Sequence, residues 1–221
     1  ELKNVLLIVN SSDRGLCGGF NSNVTKEVKK LIANKYANVN VEAKFLGKKA
    51  FEFFKRAEFT KDTSNMEVFL DLNADAAFNI GESVINDFLA GKYDEVRVVY
   101  NKFKNAATQI ITAEKILPVE LESFEASSEG DSKYVANFSF EPSKKDLLST
   151  IIPRAVKTQL YRTMLDSQAS EHGSRMVAMD KATENAGEII YDLKLQYNQA
   201  RQAAITTEIL EIVGGAAALE G

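Results

Sequence analysis

The sequence is poor in the residues that most chemistry and most secretory folds require. It has one cysteine, Cys17, so an internal disulfide and any multi-cysteine metal site are excluded, and a reducing compartment suits it. It has one histidine, His172, flanked by Glu171 and Arg175, and no serine–histidine–aspartate arrangement surrounds it. A net charge of −4 leaves no basic footprint for nucleic acid. No uninterrupted apolar run of about 18 residues is present, so no membrane-spanning segment and no signal peptide are expected. Proline is scarcest where it matters. Between Pro153 and the pair Gly214–Gly215 there is none, and the only glycines are Gly173 and Gly187.

That scarcity defines the last third of the chain. Nothing there stops a helix and much favours one. Ser143 to Asp146 has the S-x-x-D form of a capping box, between Pro142 and the apolar pair Leu147–Leu148. A helix running from there to Gly214 would be roughly 105 Å long, whereas a domain of this size has a radius of gyration of about 17 Å. Such a helix is expected to leave the globular body. Ala182, Ala186, Ile190, Leu193, Tyr197, Ala200 and Ala204 recur at steps of four or three, the seam of a coiled coil. Small residues on the seam permit a close partner helix. No other segment is long enough to be that partner, so it belongs to another chain or to a missing part of this one. The chain enters a strand by Val5, which reads as a fragment lacking its N-terminal segment.

The first two-thirds alternates strand and helix. Leu2 to Val9 reads as a strand buried on both faces. Val24, Val28, Leu31 and Ile32 read as a helix; Val41, Ala43 and Phe45 as a strand; and Gly47 opens a second helix with Phe51 and Phe54 inward. Phe51, Phe53, Phe54 and Phe59 are expected in the core. Thr60 to Asp71 has no clear period. Ala77 to Phe88 is a third helix ended by Gly91. Val96–Tyr100 and Thr108–Thr112 form a hairpin across Lys102–Asn105, the acidic stretch Glu120–Ser132 is a loop, and Tyr134–Phe140 is a last strand. The fold class is therefore α/β: a mostly parallel, Rossmann-like sheet with flanking helices, occupying 1–141, and a long C-terminal helix over 142–221. That helix is expected to form an antiparallel coiled coil with the missing segment.

Two features invite a chemical reading. The glycine turn from Asp13 to Gly19 lies between the first strand and first helix, where a doubly wound fold holds phosphate. It fits neither G-x-G-x-x-G nor G-x-x-x-x-G-K-[ST] and lacks their lysine and acidic partners, so a tight structural turn is the better reading. Cys17 on that turn reads as a small buried hydrophobe. Glu208 and Glu211 lie three apart on one helix face, but without a third ligand they read as a solvated or partner-facing pair. Composition and spacing leave open a nucleotide-binding enzyme that uses the Gly15–Gly19 turn and a generic coiled-coil adaptor.

Resemblance narrows this. Ser12-Asp13-Arg14-Gly15-Leu16-Cys17-Gly18-Gly19-Phe20-Asn21 resembles the first hallmark of the gamma-subunit family of F-type ATP synthases. The stretch from Ala200 to Ala216 is similar to that family's C-terminal signature. Tyr161-Arg162, Ala169 to His172, Arg175 to Met179 and Ala182 to Ala186 also match, in a bacterial version. The resemblance implies a non-catalytic central rotor shaft with no cofactor and no metal. Its implied partners are the alpha and beta subunits of the threefold head, the small epsilon subunit, and the membrane c-ring. It further implies a peripheral position on the cytoplasmic face of the bacterial inner membrane, without insertion. By the same resemblance Arg201, Gln202, Thr206 and Glu208 contact the head, and Phe138, Phe140 and Glu141 contact the ring.

Overall fold

The computed structural model describes residues 2–119, 141 and 143–220. By spatial contacts it comprises two units, Glu1–Val177 and Ala178–Gly221. The expected acidic loop and the Tyr134–Phe140 strand lie outside the described residues.

The first unit is built on a five-stranded sheet in the order β3-β2-β1-β4-β5. β1 (Asn4–Asn10) pairs in parallel with β2 (Asn40–Leu46) on one side and β4 (Glu95–Phe103) on the other. β3 (Thr60–Asp62) extends the parallel part, and β5 (Gln109–Leu117) closes the far side antiparallel to β4. Central β1 is apolar on both faces, as a parallel strand covered by helices must be, and Val5 to Val9 are all buried. Its alternate residues feed two cores. Val5, Leu7 and Val9 pack with Val24 and Val28 of α1 (Phe20–Asn34) and Ala50 and Phe54 of α2 (Lys48–Phe54). Leu6 and Ile8 pack with Ala77, Ile80 and Val84 of α3 (Ala74–Leu89), and with Val156, Leu160 and Met164 of α4 (Lys144–Glu220).

The stretch without a sequence period, Thr60–Asp71, is the short β3 followed by a single 3-10 turn, Val68–Leu70. Elements of three residues have no room for a repeat to show. Phe51 and Phe59 pack against the core and Phe54 lies within it, but Phe53 is 54% exposed, against expectation. It lies edge-on to Phe54 at 5.1 Å between centroids, under the Lys29 ammonium at 4.6 Å. A cation over its face suits an aromatic ring left half in water.

α4 begins with the capping box: the Ser143 hydroxyl accepts from the Asp146 amide at 3.2 Å and donates to its carboxylate at 2.7 Å. It absorbs Pro153 and continues through Gly214–Gly215 to Glu220. Each glycine costs about 1 kcal/mol relative to alanine, which the following Ala216–Ala218 partly offsets. Every residue from Met179 to Leu219 is exposed. By length and composition α4 also meets the criterion for a membrane span, with a hydropathy of 1.2 over an 18-residue window. That departs from the expectation of no such segment. The two glutamates Glu208 and Glu211 argue against insertion, since charges in a bilayer core are costly and rare in spanning helices.

At the start of β4, Glu95 is 4% exposed and takes three hydrogen bonds on one carboxylate oxygen. It accepts from Tyr36 at 2.6 Å, Arg97 at 2.8 Å and Lys35 at 3.1 Å. Burial alone would raise its carboxyl; the hydrogen bonds from Tyr36, Arg97 and Lys35 outweigh it and hold the pKa at about 2, from an ordinary 4.5. A depressed carboxylate stabilises the fold above its unfolded pKa, and that contribution is lost as pH falls from about 4.5 toward 2. Its size is on the order of 2–3 kcal/mol. Urea unfolding of the wild type should therefore weaken between pH 5 and pH 2 (roughly the window this linkage sets), while Glu95→Gln should be weaker at pH 7 and respond less to acid.

Candidate functional site

In a sheet of this order the ligand crevice opens at the carboxyl ends of β1 and β4, where the strand connections diverge to opposite sides. Here that crevice is filled by the chain itself. Asn10 ends β1, Asn101 lies late in β4, and both are buried. Across them runs a stripe of small polar residues on α4. Thr163, Ser167 and Ser170 are at most 1% exposed, and Ser174 follows at the same spacing. The Asn10 side-chain amide donates to the Thr163 carbonyl at 3.4 Å, and the Ser170 hydroxyl donates to the Asn101 carbonyl at 2.8 Å. Small side chains let the helix backbone sit where a cofactor would otherwise lie.

The glycine turn beside the crevice is held from within by Ser12, Cys17 and Asn21. The Ser12 amide donates to Asn21 Oδ1 at 3.0 Å, and Asn21 Nδ2 donates to Ser12 Oγ at 2.7 Å and Cys17 Sγ at 3.1 Å. Cys17, 2% exposed, fills the centre of the turn as an inert hydrophobe. Leu16 and Gly18 adopt left-handed conformations, φ 62° and 55°, which reverse the chain around it. The Cys17 carbonyl points to α4 and accepts from the Ser174 hydroxyl at 2.6 Å. Turn and helix are thus joined, and the turn itself carries no lysine. The enzyme alternative is not favoured.

A cavity of about 240 Å³ remains outside the turn, lined by Asp13, Arg14, Phe69, Leu70, Glu171, His172 and Arg175 among others. Asp13 Oδ1 accepts from the Lys48 amide at 3.2 Å, while Oδ2 is buried without a partner, and burial raises its carboxyl above the usual range. Arg175 pairs with Glu171 at 2.7 Å, and His172 is exposed. Among the described residues no three His, Cys, Asp or Glu side chains gather as a metal site.

The four residues expected to meet the head all lie exposed on α4 within 178–221. At about 100° per residue, Arg201 and Glu208 share one line two turns apart, at the margin of the Ala182–Ala204 seam. Gln202 and Thr206 lie one turn apart on the far side, where the Thr206 hydroxyl back-bonds to the Gln202 carbonyl at 2.8 Å. The helix does not bring the four into one cluster; it presents them on two sides. Ile205, Ile209 and Ile212 form a further exposed line at helical spacing, 46%, 55% and 72% exposed. Of the residues expected to meet the ring, Glu141 is exposed just before α4, and Phe138 and Phe140 lie outside the described residues.

The stripe Thr163, Ser167, Ser170 and Ser174 is not among the residues that the sequence singles out. Its spacing of four, three and four is as regular as that of the seam. Hydroxyl side chains on a helix ordinarily signal a solvated face, and that hides it.

Comparison with known proteins agrees with this architecture. A family model described as ATP synthase matches residues 1–219. The ATP synthase gamma chain of Cytophaga hutchinsonii is 47% identical over 223 residues, covering 99% of this chain and 75% of the relative. That of Flavobacterium psychrophilum is 49% identical, covering 100% and 75%. Among solved structures, the central stalk and c-ring of the Tetrahymena thermophila mitochondrial ATP synthase includes a chain with a TM-score of 0.59 and 26% identity, covering 83% of this chain and 78% of that one. A chain of the Euglena gracilis mitochondrial ATP synthase shares the fold at a TM-score of 0.65 and 19% identity, covering 99% and 73%. A plugged crevice, a glycine turn that holds a helix, and a long exposed apolar helix are thus found in a chain that belongs to the ATP synthase gamma-chain family.

Proposed function

We propose that this chain is the central rotor shaft of a bacterial ATP synthase, carrying rotation between the proton-driven c-ring and the alpha–beta head while catalysing nothing itself. The observation that carries the reading is α4, a 77-residue helix whose residues from Met179 to Leu219 are exposed yet rich in isoleucine, leucine and alanine. An exposed stripe of that size is an interaction surface. A helix of this length serves as a lever only when paired, and the seam Ala182 to Ala204 takes the partner helix. The small apolar run at the end, Ile212, Val213 and Ala216 to Leu219, suits a bearing: it fills an apolar sleeve without directional bonds that would arrest turning.

In functional terms 1–141 is the body that docks the epsilon subunit and 142–221 is the shaft. The complex is membrane-associated, with this chain on the cytoplasmic face of the inner membrane. Phe138, Phe140 and Glu141 meet the ring; Arg201, Gln202, Thr206 and Glu208 meet the head. The two-sided placement of those last four suits a shaft that faces different catalytic subunits in turn.

Arg201→Ala combined with Gln202→Ala in the complete enzyme tests the head contacts. Charge-assisted hydrogen bonds contribute about 1.5–3 kcal/mol each, so ATP turnover should fall on the order of tenfold with the body's melting temperature unchanged. Normal turnover together with normal assembly would remove those residues from the coupling surface.

A further inference from the structure

We infer that the filled crevice is a torque-bearing seat: Asn10, Ser170 and Ser174 lock the rotational and axial register of α4 on the body, and rotation passes between body and shaft through them. The inference rests on the rotor reading proposed above.

Three bonds define the seat. Asn10 donates to the Thr163 carbonyl at 3.4 Å, Ser170 donates to the Asn101 carbonyl at 2.8 Å, and Ser174 donates to the Cys17 carbonyl at 2.6 Å. Their positions on α4 fall within about 40° of its circumference and span about 16 Å of its length. Their partners sit on three separate pieces of the body: the end of β1, the late part of β4, and the glycine turn. Three anchors along one line, on three supports, oppose both sliding and turning.

The apolar part of the contact does neither well. Val156, Leu160 and Met164 hold α4 down on the sheet, but apolar contact is non-directional and tolerates sliding. Hydrogen bonds weaken steeply with misalignment. A slip of one residue rotates each hydroxyl by about 100° and moves it about 1.5 Å along the axis, beyond reach of its carbonyl. The buried Asn101 and Cys17 carbonyls would then lose these donors, which the interior penalises. Lower on the helix, Gln159 reaches Glu114 at 2.7 Å and Lys157 reaches Glu82 at 2.9 Å. The Lys157–Glu82 pair is solvent-facing, and such pairs resist little. Gly173 shows how closely the helix is seated. A Cβ there would lie 3.1 Å from Ala106 Cα and 3.3 Å from its carbonyl oxygen, on the turn joining β4 to β5.

The test uses the complete enzyme in proton-tight vesicles, carrying Ser170→Ala with Ser174→Ala, or Ser174→Ala alone should the pair fail to fold. ATP hydrolysis and proton pumping are measured together, and hydrogen exchange reads the helix directly. Exchange through 163–175 should quicken about 5-fold for one hydroxyl and about 30-fold for both. Protons moved per ATP hydrolysed should fall in the same order, while hydrolysis without an opposing gradient holds. Ser174→Thr, which keeps the hydroxyl, should retain the wild-type ratio. An unchanged ratio in the alanine variants overturns the inference, as does a proportional loss of pumping and hydrolysis, which marks poor assembly alone. Equal loss in Ser174→Thr overturns it too. If the wild-type chain fails to restore pumping to enzyme depleted of its shaft, the rotor reading itself fails, a result distinct from the others.

Discussion

Gly47→Ala should unfold the body or bring it to the edge of unfolding. Gly47 joins β2 to α2 with φ +100°, a conformation that side chains rarely adopt. An added Cβ would lie 2.0 Å from the Ser11 carbonyl oxygen and 2.6 Å from its carbon, both backbone atoms. Neither is free to retreat. The Ser11 amide donates to the Leu46 carbonyl at 2.8 Å, the Ala50 amide donates to Ser11 Oγ at 3.1 Å, and the Lys49 amide donates to the Ser12 carbonyl at 3.0 Å. Moving Ser11 breaks this set and drags the glycine turn that follows it. The left-handed strain alone costs about 1–3 kcal/mol. With the overlap added, the loss should exceed about 4 kcal/mol, the range reached by few single substitutions. Domains of this kind hold about 5–15 kcal/mol in total. Chemical denaturation of the purified variant measures the loss; a change under about 1 kcal/mol would show that β1 and β2 diverge more freely than the packing here allows.

The second large effect concerns the exposed half of α4. In a dilute, monomeric sample of this 221-residue chain, amides across Ala182–Ala204 should exchange orders of magnitude faster than those of β1. Most helix stability comes from packing of the apolar face rather than from propensity. Ile190, Leu193 and Tyr197 are 53%, 57% and 67% exposed, so the seam has no such packing. Each would contribute about 1.5–3 kcal/mol if covered. Core amides of β1 open only with the whole domain, at the full folding free energy, whereas an uncovered helix opens at nearly none. Raising the concentration should slow exchange along the seam if two copies pair their helices. Strong protection in a sample shown to be monomeric would mean that the helix holds itself without a partner.

Much of this architecture is legible in the amino-acid sequence. α4 is legible because its sequence lacks breakers and opens with a capping box, and both signals are local. Central β1 is legible because a strand covered on both faces is apolar throughout. The glycine turn reads as structural because it lacks the lysine of a phosphate loop, and the structure adds that Cys17 and Asn21 fill it. Phe53 escapes because four phenylalanines close together suggest a core, and nothing in the sequence reveals Lys29 above one of them. Thr60–Asp71 escapes because a three-residue strand beside a single 3-10 turn carries no period. The polar stripe at Thr163, Ser167, Ser170 and Ser174 is present in the sequence at regular spacing. Its burial depends on where Asn10 and Asn101 end up, a matter of topology that local pattern does not carry.

The claim that this chain is a rotating shaft is tested most directly by watching it turn. Cys17 is buried, so a cysteine placed at Leu89, which is 77% exposed, gives a selective attachment point on the body. With the alpha–beta head of the complete enzyme fixed to a surface and a bead on that cysteine, ATP should drive stepwise rotation in one direction. A bead that only diffuses while the same molecules hydrolyse ATP at their normal rate would contradict the rotor reading.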